Sequence, residues 1–218
     1  MNTLAKSLLL AGLASASFAA APASAQVAGI AFSSPEAVIV RAAARQAGYQ
    51  AIGQTFNAQI QQVTQLRQQN AQAQQSLDTN GDGQLTDAEV SANPTVVQQI
   101  QQREQQIAQI GQPIFLAQAY VIEQLVNDYA NAQNQVIQNK RIQIMLSPDA
   151  IQFAPESANV TTDIVAALDA RLPTVQTTPP AGWQPRQQTL QLQQTVQQIL
   201  LAAAQQQAAQ QPAAPTGR

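Results

Sequence analysis

Between residues 35 and 139, apolar side chains recur every three to four positions, the spacing of helices buried along one face. The first stretch carries two interleaved seven-residue series, Tyr49, Phe56, Val63, Asn70 and Leu77 in one and Ile52, Gln59, Leu66 and Ala73 in the other. That is the pattern of a helix lying along a partner helix, and the polar residues at Gln59 and Asn70 predict a weak seam. A second stretch begins near Thr95, because Asn93-Pro94 ends any helix entering it. Its stripe runs through Ile100, Ile107, Ile110, Ile114, Ala117 and Val121. It then shifts phase into Leu125, Tyr129, Ala132 and Val136, and such a shift locally unwinds a supercoil. Pro113, within Gly111-Gln112-Pro113, removes a helix hydrogen bond and predicts a kink. From Pro35 to Leu77 and from Thr95 to Asn139, each stretch would reach about 65 Å as a helix. Two arms of equal length joined by one loop predict an antiparallel helical hairpin over 49–139.

The flanks carry strand signals. Val27 to Phe32 is an apolar run of strand length, and Ser34 is placed to cap a helix that starts at Pro35. That helix should cover Ala37 to Ala47 and bend near Gly48. Beyond Lys140-Arg141, Ile142 to Leu146 and Ala150 to Ala154 read as two short strands around Ser147-Pro148-Asp149. Thr161 or Thr162 then caps a helix through Asp163, Ile164, Val165, Leu168 and Leu172. The fold class is therefore α+β, mostly α. A long helical hairpin stands on a small β-bearing body built from 26–48 and 140–172, with the N-terminal strand beside a C-terminal strand hairpin. Residues 173–185 read as a proline-rich linker holding the chain's one tryptophan, Trp183. Arg186 to Gln211 reads either as an amphipathic helix on Leu192, Val196, Ile199 and Ala203 or as a Gln/Ala-rich disordered tail.

Residues 1–25 combine Lys6, an apolar run through Leu8, Leu9, Leu10, Leu13 and Phe18, and Ala23-Ser24-Ala25. This is the pattern of a secretory signal cleaved after Ala25, too short to be a lasting membrane span. No cysteine follows to carry a lipid, so the expectation is an exported protein without stable membrane insertion.

Composition narrows the chemistry. Cysteine and histidine are both absent, which excludes disulfides, thiolate or imidazole metal sites, Cys nucleophiles and His acid–base catalysis. No phosphate-cradling G-x-x-x-x-G-K-[ST] occurs. The net charge of -2 leaves no basic field for nucleic acid. About a fifth of the residues are Gln and only 4% are aromatic, which favours polar-faced helices over a thick core. Of the 12 carboxylates, four (Asp78, Asp82, Asp87 and Glu89) sit in the loop between the arms, and the rest are scattered along helix faces. Glu104 and Glu123 carry no pairing signature, and an enzyme is not expected.

The loop itself, Asp78 to Glu89, has the spacing of an EF-hand calcium loop. Calcium takes six to eight oxygens. Asp78, Asn80 and Asp82 stand at positions one, three and five, the Gln84 carbonyl at seven, Thr86 at nine and a bidentate Glu89 at twelve. Gly83 supplies the turn, and Leu85 is the expected apolar anchor. Asn-Gly and Asp-Gly also turn without metal. With no second loop to pair with, a single site would be weak, with a Kd of about 10⁻⁴ to 10⁻³ M.

The segment Arg141-Ile142-Gln143-Ile144-Met145-Leu146-Ser147-Pro148-Asp149-Ala150-Ile151-Gln152-Phe153-Ala154, followed by Asn159-Val160-Thr161-Thr162-Asp163-Ile164-Val165, resembles the closing strand hairpin and helix start of the Skp (OmpH-like) periplasmic chaperone family. With the element order, the resemblance spans about residues 27–172. It implies a periplasmic homotrimer whose arms enclose unfolded outer-membrane proteins without ATP. Ile110, Ile114, Leu116 and Val121 would then be either client contacts or plain hairpin core. The lack of positive charge, the tip loop and the segment after Pro173 lie outside the resemblance. The alternative function is a structural or scaffolding coiled-coil protein of the envelope with a calcium-binding loop, and a calcium buffer is a third.

Overall fold

The computed structural model describes residues 29–210, so the signal segment and the start of the 27–32 run lie outside the described residues. The element order is β1 (Ile30–Phe32), α1 (Pro35–Arg41), α2 (Ala43–Thr55), α3 (Asn57–Leu77), α4 (Asp87–Ala92), α5 (Pro94–Lys140), β2 (Ile144–Leu146), α6 (Thr161–Arg171) and α7 (Gln187–Gln210). The architecture is mostly α with one small sheet.

Helix α5 is the axis. Its 47 residues reach about 70 Å and stay helical across Pro113, so the proline interrupts one hydrogen bond and does not end the element. The heptad reading of the first arm holds in detail: the positions of α3 withdrawn from solvent are 59, 63, 66, 70, 73 and 77. The first arm is nevertheless three helices. Ala42 leaves helical geometry at ψ 127°, and α2 takes its cap from outside, with the Ala43 N–H donating to Asp169 Oδ1 of α6 at 2.8 Å.

The bend expected at Gly48 is absent, because α2 runs through it. This glycine serves close approach instead. A Cβ there would lie 2.9 Å from Val175 Cγ2 and 3.1 Å from Val121 Cγ2.

The sheet also differs from expectation. β1 and β2 pair in parallel, Ile30 with Ile144, Ala31 with Met145 and Phe32 with Leu146, and the whole arm forms their crossover. The second strand of the expected hairpin does not form. Pro148 opens a 3₁₀ turn over Pro148–Ala150, and 151–154 is irregular. A proline without an N–H cannot seed a ladder, and β1 already occupies the inner edge of β2. The other edge of β1 is touched by Val160 N–H donating to Phe32 O, with Phe32 bridged to Asn159.

Helix α6 begins at Thr161, but no threonine caps it. Asn159 Oδ1 accepts from the Thr161 N–H, and Thr161 Oγ1 accepts from the Ser34 N–H, tying α6 to the start of α1. Ser34 caps α1 as expected, accepting from the Ala37 N–H at 3.1 Å.

The core lies where these pieces meet the lower half of α5, with Val38, Ile39, Ile52, Val121, Ile122, Leu125, Ile164, Leu168 and Val196 all essentially inaccessible. Residues 173–185 are not a free linker. Gln176 and Gln124 exchange two hydrogen bonds, N–H to Oε1 at 2.9 Å and Nε2 to carbonyl at 2.8 Å, and Trp183 meets Tyr120 edge-on at 5.1 Å. The segment then continues into α7, so the helical alternative for the tail is the one realised.

A fork of two 2.8 Å hydrogen bonds joins Arg171 on α6 to Asp128 on α5. The Arg171 bonds, with help from Asn131, hold the Asp128 carboxyl below its ordinary range. A carboxyl with a lowered folded-state pKa stabilises above its unfolded pKa and loses that contribution as pH falls. The gap in thermal midpoint between wild type and Asp128→Asn should therefore be constant from pH 7 to about pH 5 and close below about pH 4. A gap that does not change with pH would show that the ion pair contributes nothing.

Gly48→Ala gives a second check. Alanine normally stabilises a helix over glycine by about 0.5–1 kcal/mol. Here the clash with Val175 and Val121 should reverse the sign, with a loss of about 1–3 kcal/mol in thermal or urea unfolding.

Candidate functional site

The loop after α3 is built from its own side chains. Gly81 and Gly83 take φ of +73° and +78°, and since a Cβ would meet nothing at either, backbone conformation alone selects glycine. Asp78 accepts from the Gly81 and Gly83 N–H groups, each at 2.8 Å. Asn80 Oδ1 accepts from the Asp82 N–H and its Nδ2 donates to Asp82 Oδ2, while Asp82 Oδ1 accepts from the Gln84 N–H. These three side chains shape the turn.

Glu89 does something different. Its Oε2 accepts from the Thr86 N–H and hydroxyl at 3.0 and 2.8 Å. Its Oε1 accepts from the Thr79 N–H and hydroxyl and from the Asn80 N–H. Thr86 Oγ1 in turn accepts from the Glu89 N–H, completing a capping box on α4. The Thr86 backbone and hydroxyl donors, followed by Thr79, hold the Glu89 carboxyl down to about 2. One carboxylate thus ties both ends of the loop together.

The predicted ligands Asp78, Asn80, Asp82, Gln84, Thr86 and Glu89 are brought into one loop, where the Asp78, Asn80, Asp82 and Glu89 side chains accept hydrogen bonds from loop N–H groups. Among the described residues no three acidic, His or Cys side chains converge on a point where an ion could sit. Leu85 is not buried as an anchor; it is 43% exposed, with no sister loop among the described residues to pack against.

Two polar clusters on α5 carry no sign in the local sequence. In the arm, the buried Asn70 donates through Nδ2 to Glu104 Oε1 and accepts from Arg103 at 3.0 Å. At the arm's base, the buried Glu123 is met by the Arg186 guanidinium and the Thr189 hydroxyl, and Arg186 also donates to Asn127. Both glutamates are paired, contrary to expectation. The partners lie 34 and more than 60 positions away, beyond the reach of any spacing rule.

Of the candidate client contacts, Val121 is fully buried and Ile114 packs against the core, while Ile110 and Leu116 are half-buried. The exposed apolar groups lie elsewhere. At the sheet, Ile30, Ile144 and a 90% exposed Phe153 stand out. Beside them is a groove of about 550 Å³ lined by residues that include Ile30, Phe32, Leu146, Ile151, Phe153 and Pro155.

Comparison with known proteins adds one likeness. No family model matches the chain, and no curated protein matches it. Among solved structures it is similar to an OmpH-like protein of Caulobacter crescentus CB15, proposed to be an outer membrane chaperone. The two share 22% identity over 71% of this chain and 93% of that one, with a TM-score of 0.43. A likeness at this level assigns neither family nor activity. Among the described residues no helix is long and apolar enough to cross a membrane.

Proposed function

We propose that the chain is an ATP-independent periplasmic holdase that shelters unfolded outer-membrane proteins between helical arms, and that it acts as a homotrimer joined through its body. The observation that carries this reading is the uneven burial along α5. Its lower half packs against α1, α2, α6 and α7, with Ala117, Val121, Ile122, Leu125, Ala132 and Val136 buried, whereas between Pro94 and Leu116 no residue is buried and the helix meets α3 along a seam of half-buried and polar residues. Helices of this kind owe most of their stability to packing, so a bare two-helix arm suits a surface that meets other chains. The sheet, with Ile144 exposed on it and Ile30 and Phe153 lining the groove, suits a second copy of the same body. The sequence resemblance described above points the same way.

Aggregation of a denatured β-barrel client should be suppressed at equimolar trimer, and the protein in solution should have three protomer masses. Phe153→Asp should lower the mass and abolish suppression together. No suppression at any calcium level would overturn the holdase reading, and a fixed stoichiometric partner recovered instead would favour the scaffold.

Calcium remains part of the proposal. An ion held by Asp78, Asn80, Asp82, the Gln84 carbonyl and Thr86 would take Glu89, which already reaches both ends of the loop, as its bidentate ligand. At a tenfold excess over Kd the gain is about 1.4 kcal/mol, enough to stiffen the tip and too little to decide the fold. Hydrogen exchange across Ser76 to Val90 should slow with calcium in the wild type and be unchanged in Glu89→Gln. Equal exchange with and without calcium in the wild type would remove calcium from the account.

A further inference from the structure

Helix α7 lies antiparallel to α5. Gln193 Nε2 donates to the Phe115 carbonyl at 3.2 Å, while Thr189 and Arg186 reach Glu123, and Arg186 also reaches Asn127. Phe115, Ala119 and Glu123 stand at i, i+4 and i+8, so they share one face, and Ala119 lies between the two contact points. Ala119 and Ile122 are inaccessible, Val126 lines a cleft with Leu192 of α7, and the Phe115 side chain at the end of the row stays exposed, its carbonyl alone meeting α7. This face is an apolar stripe separate from the one that meets α2 and α3.

The cover on that stripe is poorly matched to permanent burial. Two of the three fully buried side chains of α7 are polar, Thr189 and Gln193, and Val196 is the third. Gln193 Oε1 is buried with no hydrogen-bond partner among the described residues. From 201 to 210 every residue of α7 is exposed, including Leu201. An apolar helix would hold this stripe more tightly, whereas buried polar pairs favour one specific register over strength. The attachment just before α7 is ionic, with a half-exposed Arg186 neutralising the buried Glu123.

We propose that α7 is a releasable cover, and that the occupant competing with it for the Ala119–Ile122–Val126 stripe is an apolar segment of an unfolded client. What the stripe accepts is shown by α7 itself, an amphipathic segment presenting Leu192, Val196 and Leu200. The proposal rests on the holdase reading and adds a regulated site at the base of the arm.

The absence of native cysteine makes opening directly measurable. In an Ala119→Cys chain, the rate of reaction with a thiol reagent reports uncovering of the stripe. In an Ala44→Cys chain, where the side chain is inaccessible, the same rate reports global unfolding of the core. Trp183, docked on Tyr120, reports the 173–185 segment by its fluorescence. Arg186→Ala leaves the buried Glu123 without a cation, so it should raise the thiol rate at position 119 by about tenfold or more with the rate at position 44 unchanged. A denatured β-barrel client should do the same to a chain that keeps Arg186.

Rates at positions 119 and 44 that rise only together would overturn the cover, since α7 would then be an integral part of the core. Clients kept soluble while the rate at position 119 stays fixed would overturn it too and leave the holdase reading standing. A rate at position 119 raised by Arg186→Ala in a chain that holds no client would overturn both the client as occupant and the holdase reading.

Discussion

The rest of the structure depends on burying two apolar stripes of one helix. In its lower half α5 carries Ile114, Ala117, Val121 and Leu125 on one side, and Phe115, Ala119, Ile122 and Val126 on another. A helix apolar on two faces has to be enclosed. Helices α2 and α3 take the first face. Helices α1, α6 and α7 close the remainder, and β1 and β2 are brought together because the residues before α1 and after α5 both end at the base of that enclosure. Above Phe115 the second stripe runs out into Gln, so the enclosure stops and only the two-helix arm continues. The division between body and arm is a consequence of where one apolar stripe ends.

Much of this is legible in the chain. The heptad positions of the first arm coincide with the withdrawn residues of α3, and the Ser34-Pro35 and Asn93-Pro94 starts fall where α1 and α5 begin. These features are set by neighbours within a few turns, which is the range over which periodicity and capping act. What is not legible is long-range. Gly48 looks like a local hinge until Val175, more than a hundred residues later, packs into the notch it leaves. Ala42 breaks the first arm because Asp169 supplies the cap to the next helix. The strand expected over 150–154 has the right composition, but the inner edge of β2 is taken by β1. The second stripe of α5 is present in the sequence at 115, 119, 122 and 126. A hairpin explains only one face, so nothing in the hairpin pattern asks for it.

The tip shows the same separation of local and distant information. The turn chemistry of Asp78, Asn80, Asp82 and the two positive-φ glycines is local and readable. The role of Glu89 is less so, because its spacing fits a bidentate ligand and a capping box equally well. In the structure it accepts five hydrogen bonds from both ends of the loop, so one carboxylate serves as helix cap and as loop clasp.

The polar pairs along α5 follow from the weakness of its apolar contacts. A seam rich in Ala and Gln, with Ala73, Ala117 and Ala132 at contact positions, would pack almost as well if one helix slipped by a turn. Asn70 bonded to both Arg103 and Glu104 permits one arm register. Asp128 with Arg171 fixes α6, and Glu123 with Arg186 and Thr189 fixes α7. Breaking the pairs at the buried Asn70 and Glu123 would strand a polar or charged group, at greater cost than the pair gains when formed. Apolar burial decides that these helices gather on α5, and the polar pairs decide where each one stops. Of the two arginines in these ion pairs Arg186 is the more exposed, so the pair at α7 is the one that a competing chain can reach first.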